Sequence, residues 1–465
     1  MFIQTIKSPG LAQMSYLVGD EDAHQCVTID PRRDADIYIK EASKRSCKII
    51  ATFDTHIHAD FVSGSRELAS CLNIPIHGGK SSDYGYPLDA LEDGAEVQVG
   101  DLTIRAIHTP GHSPEHLSYL ISGGEGAENP WGLFTGDTLF AGSVGRPDLA
   151  AGMEPDELAG QLHHSLFEKL LPLGNGITVY PGHGSGSPCG GSIGDRDQTT
   201  LGYEAEYNAK LQADGVDEFV EKVLGDLPAE PDYYSRLKAL NAEGAPLRGG
   251  RLPLLSAQSV DELSSLTESG VFLLDVREVT AFAAAHIPGA INIALRSSFP
   301  PWAGRTVPCD KPVYLIADDF DSVTEAHSHL YRMGFDNIEG YLLGGMRSWI
   351  ESGQPVGKIG TISPQELHRL WKEEKKDFQV LDVRSASEWE GAHLPGALHC
   401  FAADLDDLPE ELDSGKETVV YCGSDFRADL AASLLARKGF DRVTTLLGSM
   451  KAWKAANLPV ESERE

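Results

Sequence analysis

The sequence has no excess of positive charge, no long apolar run and no regular cysteine pattern. Lysine and arginine number 39 against 70 aspartate and glutamate, which gives a formal net charge of -31. A chain this acidic repels phosphate backbones, so we expect no nucleic-acid partner. No uncharged apolar run approaches the roughly 18 residues of a membrane span, and the N-terminus does not read as a signal peptide, so we expect no membrane partner.

Cysteine is sparse and odd in number. The 7 cysteines are scattered over 465 residues, which fits reduced thiols in a cytoplasm better than a disulfide framework. We therefore predict a cytoplasmic location. The length indicates about three domains at roughly 150 residues each, and a hydrophobic content of 41% is enough for ordinary cores.

Metal-ligand side chains are concentrated in a short segment of the N-terminal part. His56, His58 and Asp60 follow the β-rich run Cys47–Phe53, and a loop after a strand can turn such side chains toward one point. Three later segments each follow a β-rich run and sit beside glycine, which allows the required backbone turn. These segments contribute His112, Asp137 and His183.

The C-terminal two-fifths of the chain contains an internal repeat. Each copy runs buried strand, turn, strand, loop, helix, strand, which indicates a parallel sheet with helices on both faces. The period is too long for a solenoid repeat, so we interpret it as a duplicated α/β domain. The matching segments are Phe272–Arg277 with Gln379–Arg384, His286–Ala290 with His393–Ala397, and Leu342–Trp349 with Leu446–Trp453.

Polar, proline-containing stretches suggest where the domains meet. The stretch Leu227–Pro253 is predicted to be a joint, and a shorter one lies at Gly353–Gly357. We predict three domains, over residues 1–243, 244–356 and 357–465.

A cysteine lies at a strand-to-loop-to-helix junction in the second copy. Val419–Tyr421 reads as a buried strand, Cys422 follows it, and helical spacing continues to Arg437. Backbone N–H groups, the helix dipole and Arg427 favour the thiolate, and the same loop would hold an oxyanion or a persulfide. The alternative is a structural core cysteine. The other loop residues, predicted to contact substrate, are Gly423, Ser424, Asp425 and Phe426.

The ordered set of metal-ligand segments resembles the metallo-β-lactamase superfamily over the whole first domain. The resemblance implies an αβ/βα sandwich with metals between the sheet edges. Two-metal hydrolases of this superfamily, such as the thioester-cleaving glyoxalase II, carry a further histidine where this chain has Phe61. An apolar ring cannot bind a cation, so we expect the second metal site to be weak or empty.

The remaining ligand set is His56, His112 and Asp137, two imidazoles and a carboxylate, which non-haem Fe(II) prefers for O₂ chemistry. The persulfide dioxygenases of the superfamily use this set, so the resemblance implies one Fe(II) per chain. His58, Asp60 and His183 then become groups that orient ligands or water. His58 could instead complete a three-histidine zinc site.

The duplicated domain resembles rhodanese sulfurtransferases, most clearly over Ile362–Val460. The loop from Cys422 to Arg427 has the rhodanese length, suited to a sulfane sulfur. Aligning the copies puts Ala317 opposite Cys422 and Ser322 opposite Arg427. We therefore interpret the middle domain as an inactive copy. Residues shared by both copies, expected to hold the fold, are Asp382, Arg384 and His393.

Two further residues are candidates for substrate contacts. Cys189 lies in a glycine-rich loop after His183, so it is expected near the opening of the metal site. It could relay sulfur, line the substrate pocket or be a small loop residue. Arg146 could hold an anionic group of a thiol carrier, and the alternative is a solvated surface charge.

The domain order resembles persulfide dioxygenase–rhodanese fusion proteins over the whole chain. This implies oxidation of a low-molecular-weight thiol persulfide by O₂ at Fe(II), with Cys422 exchanging sulfur with sulfite or thiosulfate, in sulfide detoxification. The carrier thiol stays open between glutathione, coenzyme A and bacillithiol types, and we expect a homo-oligomer. The alternatives are a zinc thioester hydrolase of the glyoxalase II type and a non-enzymatic sulfur carrier.

Overall fold

A computed structural model describes residues 1–81, 84–123, 129–150, 152–225, 227, 229–374 and 378–463. The chain divides into two compact units: Met1–Pro253 with Tyr331–Gly334, and Leu254–Leu330 with Phe335–Glu465. The second unit holds two separate sheets, and the three-domain boundaries stay a prediction. Within the described residues, no helix has both the length and the apolar character that a membrane span needs.

The first unit contains two mixed six-stranded sheets. The first runs in chain order, antiparallel over β1 to β3 and parallel from β3 to β6. Its strands are β1 (Phe2–Ser8), β2 (Gln13–Asp20), β3 (Gln25–Ile29), β4 (Lys48–Phe53), β5 (Ile76–Gly78) and β6 (Asp89–Ala90). The later strands of the unit are β7 (Glu96–Val99), β8 (Leu102–His108), β9 (Leu117–Gly123), β10 (Gly132–Gly136), β11 (Leu139–Phe140), β12 (Ser143–Val144), β13 (Thr178–Pro181) and β14 (Thr199–Thr200).

The second sheet has the order β14-β13-β10-β9-β8-β7, and β11 and β12 form a separate hairpin. One buried apolar cluster joins the two sheets, with Val27 and Phe53 from the first and Ile104 and Phe134 from the second. Separate apolar clusters hold helices on the outer face of each sheet. The expected αβ/βα sandwich is confirmed. The helices are α1 (Asp36–Lys44), α2 (Ser65–Leu72), α3 (Pro155–His164), α4 (Leu201–Tyr207), α5 (Val216–Leu224) and α6 (Tyr234–Glu243).

The second unit contains two five-stranded, all-parallel sheets with the same strand arrangement. The predicted duplication of a parallel α/β fold is therefore confirmed. The strands are β15 (Ser256–Gln258), β16 (Phe272–Asp275), β17 (Ile291–Asn292), β18 (Val313–Ile316), β19 (Ile338–Leu342), β20 (Gly360–Ile362), β21 (Phe378–Asp382), β22 (Leu398–His399), β23 (Glu417–Tyr421) and β24 (Val443–Leu446). The helices are α7 (Val260–Thr267), α8 (Val279–Ala284), α9 (Phe299–Thr306), α10 (Phe320–Arg332), α11 (Gly345–Glu351), α12 (Pro364–Arg369), α13 (Ala386–Gly391), α14 (Phe426–Arg437) and α15 (Ser449–Ala455).

The stretch predicted as a joint is more than a linker. Residues 234–243 form α6, and Asn241 on this helix is buried. The Asn241 amide donates to the backbone carbonyls of His58 and Phe61, both at 2.7 Å. The helix therefore belongs to the first unit and stabilises the loop that carries the metal-ligand candidates. Polar composition and proline alone did not distinguish this helix from a linker.

Candidate metal centre and cysteine loop

Three predicted ligands come together where strands of both sheets end. His56 lies in the loop after β4, His112 in the loop after β8, and Asp137 directly after β10. One donor atom from each lies within 4.8 Å of the other two. Asp137 Oδ2 is 3.8 Å from His56 Nε2 and 3.5 Å from His112 Nε2. The strand ends of a two-sheet sandwich thus place residues distant in sequence at one point.

Asp137 is held so that one carboxylate oxygen remains for a cation. His183 Nδ1 donates to Asp137 Oδ1 at 2.7 Å, and His183 Nε2 donates to Asp60 Oδ2 at 2.8 Å. Burial opposes charge on His183, but these two carboxylates raise its pKa well above the ordinary value. Asp137 Oδ2 is buried and has no hydrogen-bond partner among the described residues. A bound metal ion would satisfy that oxygen, so the donor set fits a cation.

Both imidazoles present their Nε2 lone pair to the same point. His112 Nδ1 donates to the Arg146 carbonyl at 3.0 Å, and His56 Nδ1 lies 2.9 Å from Thr55 Oγ1. The Thr55 hydroxyl in turn donates to Asp30, so it accepts from His56. Burial lowers the pKa of both histidines, which keeps them neutral as metal ligands must be.

Asp30, which was not among the predicted site residues, organises this side of the centre through its contacts to Thr55 and His58. It follows β3 with φ of 49°, in the left-handed region. Its carboxylate accepts from Thr55 N at 2.7 Å and from His58 Nε2 at 3.1 Å. A signal was present in the sequence, because Asp30 ends a strand as the other candidates do.

His58 belongs to a different cluster from the ligand trio. Its possible donor atoms group with those of Asp30 and Asp54. Its Nδ1 atom is buried with no hydrogen-bond partner within the described residues. The orienting role predicted for His58 is compatible with the bond to Asp30, but the unpaired nitrogen leaves the assignment a prediction.

Phe61, the residue that the resemblance to two-metal hydrolases singles out, lies in the loop after β4. Its side chain is 1% exposed, and its ring centroid lies 4.3 Å from that of His58. The ring offers no lone pair to a cation. It therefore presents an apolar surface to His58.

Cys189 lies beside this centre, as its position after His183 predicted. It is buried and groups with Asp60 and His183, and its Sγ atom is 3.5 Å from the Tyr234 hydroxyl. Burial raises the pKa of the Cys189 thiol well above its ordinary value. Burial therefore favours the thiol of Cys189 over its thiolate, and the role of this cysteine stays a prediction.

Arg146 does not meet the expectation that it holds a substrate anion. It is 1% exposed, and its guanidinium makes two 2.7 Å hydrogen bonds to the Asp148 carboxylate. It also donates to the Pro188 carbonyl at 3.1 Å. Asp148, only two residues away, neutralises the charge, and Arg146 instead braces the loops beside His112.

A cavity of about 290 Å³ opens beside His112. Its walls are mainly apolar and include one carboxylate, Glu115, and the ammonium of Lys238 on α6. Lys238 Nζ donates to the Leu149 carbonyl and lies 3.4 Å from the Glu230 carboxylate. Ser113, also in the lining, has a buried hydroxyl without a hydrogen-bond partner among the described residues. An apolar tail fits such walls, and an anionic group on that tail would compete with Glu230 for Lys238. Sequence analysis missed Lys238 because nothing local links it to a site more than 100 residues earlier.

The predicted cysteine loop forms in the second unit as expected. Cys422 follows β23, and α14 begins at Phe426. The Cys422 side chain is 1% exposed. Ser449, the first residue of α15, places its hydroxyl 3.7 Å from Cys422 Sγ. The sulfur is therefore enclosed by the loop and by the start of a second helix.

The predicted preference of Cys422 for the thiolate is only partly met. Burial raises the pKa of its thiol, and Arg427 with the backbone N–H groups of Ser424 and Ala428 offsets only part of this. Arg427 also donates to both oxygens of Glu388, at 2.6 and 2.9 Å. Glu388, on α13, was not among the predicted site residues. Its carboxylate shares the positive charge of Arg427, which the sequence analysis assigned to Cys422 alone.

The middle copy repeats the architecture without a cysteine at the position of Cys422. Ala317 directly follows β18, as Cys422 follows β23. The shared ion pair is present in both copies, with Arg277 Nη2 at 2.7 Å from Asp275 Oδ2 and Arg384 Nη2 at 2.5 Å from Asp382 Oδ2. All four side chains are buried. In each copy the aspartate ends a strand and its arginine partner lies two residues later. This agrees with a structural role for Asp382 and Arg384.

Comparison with known proteins identifies both parts of the chain. The model of the metallo-beta-lactamase superfamily matches residues 9–183, and the model of the rhodanese-like domain matches residues 259–352 and 363–456. The crystal structure of a metallo-beta-lactamase from Staphylococcus aureus subsp. aureus COL is 32% identical, with a TM-score of 0.66. That alignment covers 74% of this chain and 98% of the bacterial one.

Two kinds of curated enzyme match the first unit. The cytoplasmic hydroxyacylglutathione hydrolase of Arabidopsis thaliana is 34% identical over 171 residues, 36% of this chain and 62% of that protein. The mitochondrial persulfide dioxygenase ETHE1 of Bos taurus is 30% identical over 193 residues, 39% of this chain and 68% of that protein. The chain thus spans less than two thirds of the hydrolase and slightly more than two thirds of the dioxygenase.

Proposed function

This chain belongs to the metallo-beta-lactamase superfamily and carries two rhodanese-like domains, and we propose that it is a persulfide dioxygenase joined to a sulfurtransferase. In the first reaction, one thiol persulfide, one O₂ and one water give one thiol and one sulfite, with two protons released. The seven cysteines are all free, which supports a reducing compartment such as the cytoplasm. Such an enzyme would remove sulfide-derived persulfides.

The observation that carries the proposal is the ligand trio beside Phe61. His56, His112 and Asp137 offer two neutral imidazoles and one unpaired carboxylate oxygen, a set that suits Fe(II). Fe(II) held there would supply the activation of O₂. Phe61 removes a ligand that a second metal would need, which favours a mononuclear centre.

The residues around the ligand trio orient the ligands and enclose the substrate tail. His183 keeps Asp137 oriented through its 2.7 Å hydrogen bond, and the Arg146 carbonyl fixes the ring of His112. The apolar walls of the cavity beside His112 exclude water from the persulfide tail. These groups hold the donor atoms in place and leave the oxidation itself to the metal.

The second reaction belongs to Cys422. Its thiolate attacks the outer sulfur of thiosulfate, the sulfur–sulfur bond breaks, and sulfite leaves with the electron pair. The resulting Cys422 persulfide passes its outer sulfur to an acceptor thiolate, so the sulfur atoms balance. The backbone N–H groups at the start of α14 and Arg427 stabilise the negative charge on the outer sulfur.

A zinc-dependent hydroxyacylglutathione hydrolase is the second candidate. The 34% identity to the Arabidopsis enzyme favours it. Asp60 Oδ1 and His58 Nδ1 are also buried without hydrogen-bond partners in the described part of the chain, so they are available to a further cation. This candidate needs a two-metal site despite Phe61.

Metal analysis of anaerobically purified protein separates the two functions. We expect about one iron per chain and rapid O₂ uptake when glutathione persulfide is added. The O₂ uptake is measured with an oxygen electrode, and S-lactoylglutathione hydrolysis is followed in parallel. Two zinc ions per chain, thioester hydrolysis and no O₂ uptake would instead establish the hydrolase.

Lys238 is expected to select persulfides that carry a negative charge. Lys238→Gln should raise the KM for glutathione persulfide about fivefold with little change in kcat, because one charge-assisted hydrogen bond to a partly exposed group is worth about 1 kcal/mol. The measurement is O₂ uptake over a range of persulfide concentrations.

The matched control for this substitution is Lys44→Gln, which removes the same charge from the exposed face of α1. Its KM should equal that of the wild type. The persulfide of 2-mercaptoethanol, which carries no charged group on its carbon chain, should not distinguish Lys238→Gln from the wild type. An equal rise in KM for both substrates would mean that the substitution disturbs the cavity walls rather than removing an anion contact.

A further inference from the structure

Arg296 of the middle rhodanese-like copy contacts the cysteine loop of the last copy. Arg296 follows β17, and its Nη1 atom donates to Asp425 Oδ1 at 2.9 Å. The same guanidinium makes two contacts to Glu278, from Nη2 to Oε2 at 2.5 Å and from Nε to Oε1 at 3.3 Å, so it bridges the carboxylates of Glu278 and Asp425. Asp425 immediately precedes α14 and lies three residues after Cys422. The copy without a nucleophile thus contributes a cation to the loop that has one.

Further contacts hold this arrangement in place. The backbone N–H of Asn292 in β17 donates to the Ser433 hydroxyl in α14 at 3.1 Å. The ring centroid of Trp302 in α9 lies 6.5 Å from that of Phe426. A single buried apolar cluster includes Phe282 from the middle copy and Ala428 from α14. The segment that carries Arg296 is therefore packed against the last copy. The contact between Arg296 and Asp425 does not depend on the conformation of one long side chain alone.

The charge on Asp425 is unfavourable for the proposed chemistry of this loop. The Cys422 thiolate, its persulfide, thiosulfate and sulfite are all anions, and a carboxylate in the same loop repels each of them. A second carboxylate, Asp429, lies one turn along α14; burial, with the charge of Asp425, raises its pKa to about 7. A cation beside Asp425 offsets this repulsion.

We propose that Arg296 is a positioning residue for sulfur transfer: it holds and neutralises Asp425, so that the Cys422 loop accepts anionic sulfur donors. The inference rests on the proposed sulfurtransferase function of Cys422. It gives the middle copy a role, since that copy supplies the compensating charge and the packed surface that carries it.

The test is steady-state transfer of sulfur from thiosulfate to cyanide, which yields thiocyanate and sulfite, with the full-length protein. Arg296→Gln should raise the KM for thiosulfate about fivefold and leave kcat within about twofold. Asp425→Asn should lower that KM about twofold. In the Arg296→Gln/Asp425→Asn double variant the KM should return to within about twofold of the wild type, because the charge that needed compensation is gone.

Arg347→Gln is the matched control, since Arg347 also lies on the middle copy and pairs with Glu351 at 2.8 Å, but its side chain is 86% exposed. Its KM should not change. If the double variant stays as impaired as Arg296→Gln, the contact acts through packing and the proposal is wrong. An unchanged KM in Arg296→Gln also overturns it.

These outcomes remain distinct from failure of the proposed function. Wild-type activity that survives Cys422→Ser would refute the sulfurtransferase assignment itself. Activity that depends on Cys422 but not on Arg296 would refute only the role of Arg296.

Discussion

Cys422→Ser is expected to lower sulfur transfer from thiosulfate by at least about a thousandfold, because the nucleophile itself is removed. A serine hydroxyl is not ionised near neutral pH and cannot form a persulfide. O₂ uptake with glutathione persulfide should stay within about twofold of the wild type, since Cys422 and the ligand trio lie in different compact units. The two activities are measured on one preparation by thiocyanate formation and by an oxygen electrode.

Cys400→Ser is the matched control for this substitution. Cys400 is also buried in the last rhodanese-like copy, and its Sγ atom contacts the Asp404 carbonyl at 3.7 Å. The change of sulfur to oxygen is therefore the same, but it is made away from the loop. Sulfur transfer should persist in this variant. Loss of both activities in Cys422→Ser would contradict two separate sites.

His112→Ala is expected to abolish metal binding and O₂ uptake. It removes one of three predicted ligands, whereas changes to groups that merely orient ligands already cost about 10- to 100-fold in metal affinity or activity. We therefore expect a loss of at least about a hundredfold in O₂ uptake and iron well below one per chain. Metal content is measured after dialysis, and sulfur transfer at Cys422 should continue.

The control for that substitution is His164→Ala, because His164 is an exposed residue in the last turn of α3. This variant should keep its iron. Thermal unfolding of both variants distinguishes loss of a ligand from loss of the fold. Full O₂ uptake in folded His112→Ala protein would rule out the ligand assignment, and intact iron would do so independently.

Much of the architecture could be predicted from the sequence because its signals are local. Buried strands such as β4, β8 and β10 lie where apolar and β-branched residues cluster. Glycine beside His112, Asp137 and His183 marked three strand ends, and self-similarity revealed the duplicated domain. The π-helical segment Ser165–Leu170, which continues α3, was not anticipated. The spacing of its apolar residues is the same as in an α-helix, so the sequence does not distinguish the two kinds of helix.

The errors concern which residues pair with each other. Arg146 looked available to a substrate, but Asp148 and the Pro188 carbonyl take its guanidinium. Lys238 lines the cavity instead, from a helix in a stretch predicted as a joint. Arg427 looked free to act on Cys422, whereas Glu388 takes both arms of its guanidinium. The sequence carries the identity of each charge and not its partner.

The sequence by itself therefore determined the fold classes, the duplication and which side chains are able to bind a metal or carry sulfur. These depend on residue type and short-range spacing, which folding preserves. Tertiary structure alone decided how the charges pair: Asp30 with His58, His183 with Asp137, and Arg296 with Asp425. Electrostatic interactions depend on distance and burial, and only the packed chain sets the distance and burial of residues far apart in sequence.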